Sequence, residues 1–200
     1  MRICMVISTP FPPEEGIGYY TYNLSKKLIE KGHQVVVITR GFWSKTQRES
    51  IDDIEVIKAP FIPIYPFYIH VHGMLVDKVF KKLESEVDVV HFHTPLPPLI
   101  KTSLPVVTTI HTPMLSDNRY IEVSSLYSLL SKISARLVSY PVELKLIQAS
   151  DIVTTVSKSV AQELKEYHLN PEKVIVVGNG VDEKFFYPKQ KILEEGKKYI

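Results

Sequence analysis

The chain has 200 residues and a formal net charge of +2, with both signs spread along its length. That length suits one large domain or two small ones with a substantial core, and so even a charge gives no electrostatic case for a nucleic-acid partner. The single cysteine, Cys4, excludes a disulfide scaffold and favours a reducing cytosol. With no signal-peptide layout at the N-terminus and no apolar run of membrane-spanning length, the expectation is a soluble cytoplasmic α/β protein.

Arg2–Ile7 is a short apolar run that predicts a strand buried on both faces of a parallel sheet. Thr9-Pro10-Phe11-Pro12-Pro13 cannot be helical, because each proline removes a donor and biases its predecessor towards extended backbone. From Ile17 the period changes: Ile17, Tyr20, Leu24 and Leu28 form one stripe of a helix, closed by Lys31 and Gly32. Val35–Ile38 is the next strand. This is a βαβ unit in which Gly16 and Gly18 stand where the helix N-terminus opens onto the strand ends. Free N–H groups and the helix dipole favour an anion such as phosphate there, and glycine lets a ligand approach the backbone. The alternative is that both glycines only make the turn.

Arg40–Asp53 is polar and reads as a loop, and Ile54–Ile57 as a short strand. Pro60–Tyr68 combines three prolines with four aromatics, so large apolar groups ride on a loop. They either pack onto the domain or form a rim that touches an acceptor or a membrane surface. A helix is expected from Tyr68 to Glu84 on the Val71, Leu75, Val79, Leu83 stripe. The strand Val87–His93 follows, with His91 and His93 on one face and Phe92 on the other. Leu96–Leu104 reads as a short helical segment, and Pro105–His111 as a strand that again ends in His-Thr-Pro. Both strands thus carry imidazoles to the carboxyl edge of the sheet, where open α/β sheets bind ligands.

Three roles compete for His91, His93 and His111: metal ligation, structural hydrogen bonding to backbone, and catalysis. No acidic or Cys ligand accompanies them, which argues against metal. His91, deeper in its strand, is assigned a structural role, His111 a catalytic one and His93 a substrate contact. Residues 124–149 are helical by period, with Pro141 expected to break or bend the run. Their Lys132, Arg136 and Lys145 form a solvated face or a thin membrane-facing one. Asp151–Val156 is a strand, Ser157 or Ser159 caps the helix carrying Val160, Leu164 and His168, and Val174–Val177 is the last strand before an Asn179-Gly180 turn. Strands and helices alternate throughout, so the fold class is α/β, a Rossmann-like, doubly wound, mostly parallel sheet.

Taken in order, Pro12-Pro13 with Gly16-x-Gly18, Gly32-His33-x-Val35, Asp88–His93, Thr108–His111, Ala149–Ser157 and Val174–Asp182 resemble the N-terminal domain of the large retaining glycosyltransferase family that includes sucrose synthase and bacterial mannosyltransferases, the GT-B enzymes. The resemblance covers nearly the whole chain. It implies two facing Rossmann-like domains with the active site between them. Residues 1–190 would be the acceptor-binding half, and 191–200 the start of a linker towards a C-terminal donor domain. It implies transfer of a hexose from a nucleotide-diphosphate sugar to a carbohydrate or lipid acceptor, with retention and without a metal or other cofactor. Its site residues carry over as His111 for catalysis, Gly16 and Gly18 at the donor diphosphate, and Tyr19, His93, Thr112, Asn179 and Gly180 at acceptor or sugar. Glu15 stands where the family often has a second glycine, so its carboxylate is expected to face away. The donor half's Arg/Lys pair and Glu-x7-Glu signature are absent, so the fragment alone is expected to be inactive. A dinucleotide-dependent oxidoreductase fits poorly, because Thr21 occupies the third glycine position and Arg40 follows the second strand in place of an acid. A non-catalytic sugar- or nucleotide-binding domain is the other alternative.

Overall fold

A computed structural model describes residues 1–43, 45–169 and 173–181. The expected linker at 191–200, the domain limit at 190 and Asp182 lie outside the described residues. Eight strands form one sheet in the order β3-β4-β2-β1-β5-β6-β7-β8. They are β1 (Arg2–Val6), β2 (Gln34–Arg40), β3 (Gln47–Ile51), β4 (Ile54–Ala59), β5 (Val89–Thr94), β6 (Val106–Ile110), β7 (Ile152–Thr155) and β8 (Val174–Val176). All pair in parallel except β3, which runs antiparallel to β4. The mostly parallel, doubly wound expectation holds. β1 lies between β2 and β5, so the winding direction reverses there and the loops after β1 and β5 part to leave a crevice at the carboxyl edge.

The first strand is buried on both faces, as its unbroken apolar run predicts. Cys4 and Val6 join one cluster with Val76, Phe80 and Phe92, while Met5 and Ile7 join another beneath the first helix. That helix, α1 (Gly16–Glu30), ends at Gly32, whose φ of +84° requires glycine. Its most buried row is Gly18, Thr21 and Ser25, not the apolar stripe, which flanks it. Small residues bring the helix close to the sheet, and the Thr21 and Ser25 hydroxyls donate back to the carbonyls of Ile17 and Thr21 at 2.9 and 2.7 Å.

Two sequence expectations are corrected. The polar stretch 40–53 is not all loop: its second half is β3, an exposed edge strand turned into β4 by Asp52 and Asp53 at φ 48° and 65°. Period-two burial is absent from an exposed edge, so hydropathy cannot reveal such a strand. Leu96–Leu104 is irregular chain, not helix, because Pro95, Pro97 and Pro98 remove donors and Leu96 sits at φ 62°.

The remaining helices are α2 (Tyr68–Phe80), α3 (Met114–Tyr120), α4 (Leu126–Ser134), α5 (Tyr140–Ala149) and α6 (Lys158–Glu163). A π-helical turn at Ala135–Ser139 joins α4 to α5, just ahead of the interruption expected at Pro141. Ser157 is the residue that caps α6, accepting from the Val160 N–H at 3.2 Å. Among the described residues no helix is long and apolar enough to cross a membrane.

Candidate functional site at the carboxyl edge

The two His-tipped strands are adjacent, with His93 in register with Thr109 and Thr94 with Ile110. Alternation puts His91 and His93 on one face, ring centroids 4.2 Å apart, and His111 joins them from the next strand with its ring 5.6 Å from His93. His93 Nδ1 and His111 Nε2 lie 3.4 Å apart and share a proton in one tautomer or the other. Tyr20, from the first turns of α1, sets its ring edge-on to His111 at 4.8 Å and to His93 at 5.6 Å. The glycine loop and both histidine-tipped strands therefore meet at one place.

Beneath this cluster the contacts are polar and internal. His91 Nε2 bonds the Thr109 hydroxyl at 2.7 Å, and Thr109 bonds Thr154 at 2.7 Å, a relay across three strands. His91 is thus held by an internal hydrogen bond, made to a threonine hydroxyl and not to backbone as expected. Burial pushes His91 down to about 4, and the neighbouring His111 acts in the same direction. Burial, then His91 and His111, hold His93 well below the ordinary histidine range. Burial lowers His111 to about 4. All three rings are neutral at pH 7. His111 is consequently a hydrogen-bonding group and a weak base, and not the near-neutral titrating group that its residue type suggests. With Nε2 turned to His93, its Nδ1 has no partner among the described residues. Nor do those residues contain a group of three or more His, Cys, Asp or Glu arranged to hold a metal ion.

The loop that carries His111 is fixed from behind. Glu143 on α5 is 3% exposed and accepts from the Met114 N–H at 2.9 Å and the Tyr167 hydroxyl at 2.5 Å. The Leu115 N–H in turn donates to the Tyr167 oxygen at 3.2 Å. Burial raises Glu143 to about 7, against these hydrogen bonds. Residue order alone does not bring out Glu143, Tyr167 or the role of Tyr20. The available signals were an acid beside Val142, Leu146 and Ile147 on a buried stripe, and an aromatic in the first turns of the glycine-loop helix.

The other sequence-derived site residues divide. Gly16 is exposed, and a Cβ there would meet nothing within 4 Å, leaving room for a ligand. Gly18 is buried, and a Cβ there would lie 3.1 Å from Pro13 Cα, so its smallness lets the proline loop close over α1. No side chain caps the α1 N-terminus, and no acid lies in its first turn. Glu15 is exposed, and Tyr19 beyond it is 54% exposed. Thr112 is half-buried in the turn after His111. Asn179 and Gly180 are exposed beyond β8, two strands from β6 and so about 10 Å away, and do not join the histidine cluster. In the aromatic loop, Phe61 packs against His72 and Tyr68, whereas Ile64, Tyr65 and Phe67 stay exposed. The loop thus packs onto the domain through Phe61 and Tyr68 and leaves Ile64, Tyr65 and Phe67 at the surface.

Comparison with known proteins adds to this geometry. The family model described as Glycosyltransferase Family 4 matches residues 15–185. The chain is 26% identical over 212 aligned positions to an MMP alpha-(1->4)-mannosyltransferase of Mycolicibacterium hassiacum, covering 88% of this chain and 50% of the relative. It is 23% identical to a component of the human phosphatidylinositol N-acetylglucosaminyltransferase, covering 94% of this chain and 38% of that protein. Among solved structures, the sucrose-phosphate synthase of Thermosynechococcus elongatus superposes with a TM-score of 0.71 at 15% identity, over 94% of this chain and 50% of the synthase. The chain therefore spans half or less of the length of the curated relatives it matches.

Proposed function

Because this chain belongs to Glycosyltransferase Family 4, we propose that it is the acceptor-side half of a two-domain enzyme that transfers a hexose from a nucleotide-diphosphate sugar to an acceptor hydroxyl with retention. The fold is that of the Rossmann-like domains of GT-B glycosyltransferases. The observation that carries the reading is the convergence of His111, His93 and Tyr20 beside an uncapped helix N-terminus at the switch point of the sheet.

In this reading the first-turn N–H groups of α1, with Gly16 open to solvent, meet the donor diphosphate. Gly18 serves by letting the proline loop lie close. His111 contacts the transferred sugar through Nδ1. Being neutral, it orients by hydrogen bonding and supplies no positive charge to the leaving group. That charge falls to the helix dipole and to a covalently linked donor domain. Tyr19 and Thr112, next in the chain to Gly18 and His111, would meet the acceptor or sugar, and Asn179-Gly180 would reach the sugar only from the donor-facing side. Exposed Ile64, Tyr65, Phe67, Leu126 and Tyr127 support an acceptor met at a membrane surface. Tyr65 joins the two segments by donating to the Leu130 carbonyl at 2.6 Å.

The test is a panel of nucleotide sugars offered to the full-length protein containing this chain. Nucleotide release would be followed, and the anomeric configuration of the product read by NMR. The reading expects release that depends on one donor and a product with the donor's configuration. An inverted product would overturn retention, and no release with any donor would overturn the transferase reading. The isolated chain should turn over negligibly.

A further inference from the structure

A second cavity, of about 490 Å³, lies on the other side of the proline loop from the histidines. Its walls come from three strand ends: Phe11 after β1, Arg40 to Trp43 after β2, and Lys58 with Phe61 at and beyond β4. All three strands end at the carboxyl edge, and the volume falls in the roughly 300–1,000 Å³ range of small-molecule sites. In the sequence Arg40 stands only as the wrong residue for a dinucleotide site, and Trp43 has no role.

The chemistry of the lining is specific. Phe42 and Trp43, largely exposed at the cavity wall beside Phe11 and Phe61, offer flat apolar faces of the kind that accept the C–H face of a sugar or polyol ring. Two cations, Arg40 and Lys58, face one carboxylate, Glu14. Lys58 is already paired with Glu49 at 2.7 Å. Arg40 is not: its guanidinium stacks over Phe61 at 5.4 Å and meets no carboxylate among the described residues. The backbone around it is pinned. The Gly41 N–H donates to the Ala59 carbonyl at 2.6 Å, and a Cβ on Gly41 would come within 2.8 Å of Lys58 Cβ. An exposed guanidinium on a pinned backbone, without a carboxylate partner and beside aromatic rings, matches a phosphate ester, which it can grip in two-point fashion.

We propose that this cavity binds the acceptor through a phosphate ester on a polyhydroxylated ring, with Arg40 on the phosphate and Trp43 against the ring. The acceptor role rests on the glycosyltransferase reading above, while the binding does not. A soluble sugar phosphate and a phosphoinositol headgroup share this chemistry, and the experiment separates them.

Trp43 is the only tryptophan in the chain, so its fluorescence reports entry into this cavity without any turnover. Glucose, glucose 6-phosphate, inorganic phosphate, and vesicles of phosphatidylcholine with or without phosphatidylinositol would each be titrated into the chain. The proposal expects a saturable change with glucose 6-phosphate or with phosphatidylinositol vesicles, whichever is the source. Glucose and plain phosphatidylcholine should give none. R40A should weaken the response at least about tenfold, with R40K between it and the unsubstituted chain. K82A, at an exposed position beyond the end of α2 and outside the cavity lining, should leave it unchanged, and circular dichroism should show R40A folded. A W43F variant followed by calorimetry should retain the phosphate dependence. A saturable response to glucose matching that to glucose 6-phosphate, no response to either phosphate ester, or an unchanged affinity in R40A would overturn the proposal. Saturable binding without transfer in the full-length protein would leave the cavity standing and count against the transferase reading alone.

Discussion

The inner strands on the two sides of the switch point are both buried and chemically unlike. On the β2–β4 side of the switch point, Met5, Val6, Val36, Val37, Ile38, Val56 and Ile57 are all fully buried and all apolar. On the other side, strands β5 to β7 bury His93, Thr94, Thr108, Thr109 and Thr155 just as completely. Several of these groups pair with one another, Thr108 with Ser150 at 2.7 Å and His91 through Thr109 with Thr154, while buried His93 Nε2 has no partner among the described residues. One half is a framework held by hydrocarbon burial. The other is a polar lattice whose rings reach the carboxyl edge. A parallel sheet can thus vary the chemistry of a site by the strands beneath it while keeping one backbone geometry.

Substitutions in the two halves should separate these roles. I38A, in the apolar half, should have the largest effect, a loss of about 2–5 kcal/mol in urea denaturation, with the imidazole NMR titrations unchanged. T109V, in the polar half, keeps the volume but leaves His91 Nε2 and Thr154 facing a methyl group. It should cost about 1–3 kcal/mol and shift the ring resonances of His91 and His93 in 15N NMR. Equal ring shifts in both variants would erase the distinction.

The pH dependence sharpens it further. His91 and His111 are lowered from 6.5 to about 4, and His93 is lowered as well, so between pH 6.5 and 4 the unfolded chain binds more protons and stability falls as pH falls. Glu143, raised from 4.5 to about 7, has the opposite sign: its contribution is lost as pH rises through that window. Burial also raises Asp117, which shares the sign of Glu143. Burial lowers His72 as well, and the four imidazoles together should outweigh these carboxyls, giving net acid destabilisation in thermal melts. E143Q removes part of the opposition, so its stability should fall more steeply on acidification. A shallower slope would contradict the assignment. The smallest stability effect is expected at the loop itself: G16A, with open space around the added methyl, should change Tm by only a degree or two.

Much of this was readable from residue order. Alternating strands and helices, the glycine turn at the head of α1 and the two His-Thr-Pro strand ends gave the sheet and the neighbourhood of the site. The chain does not reveal β3, because an exposed edge strand carries no buried period. Nor does it reveal α3 or the Glu143–Tyr167 brace behind it, since the partners lie 24 residues apart and meet only through packing. The neutral state of His111 was equally hidden, because a side chain's pKa depends on burial that residue type does not encode. Gly18 stands in the glycine turn, and its small size is used by Pro13.

The most direct measurement is the turnover of H111A in the full-length protein, with nucleotide-sugar binding followed in parallel. His111 is predicted to act on the transferred sugar while the helix N-terminus and donor half hold the diphosphate. The variant should therefore lose at least about a hundredfold in kcat, with donor affinity within a few fold of the parent. Unchanged turnover in H111A would contradict the account.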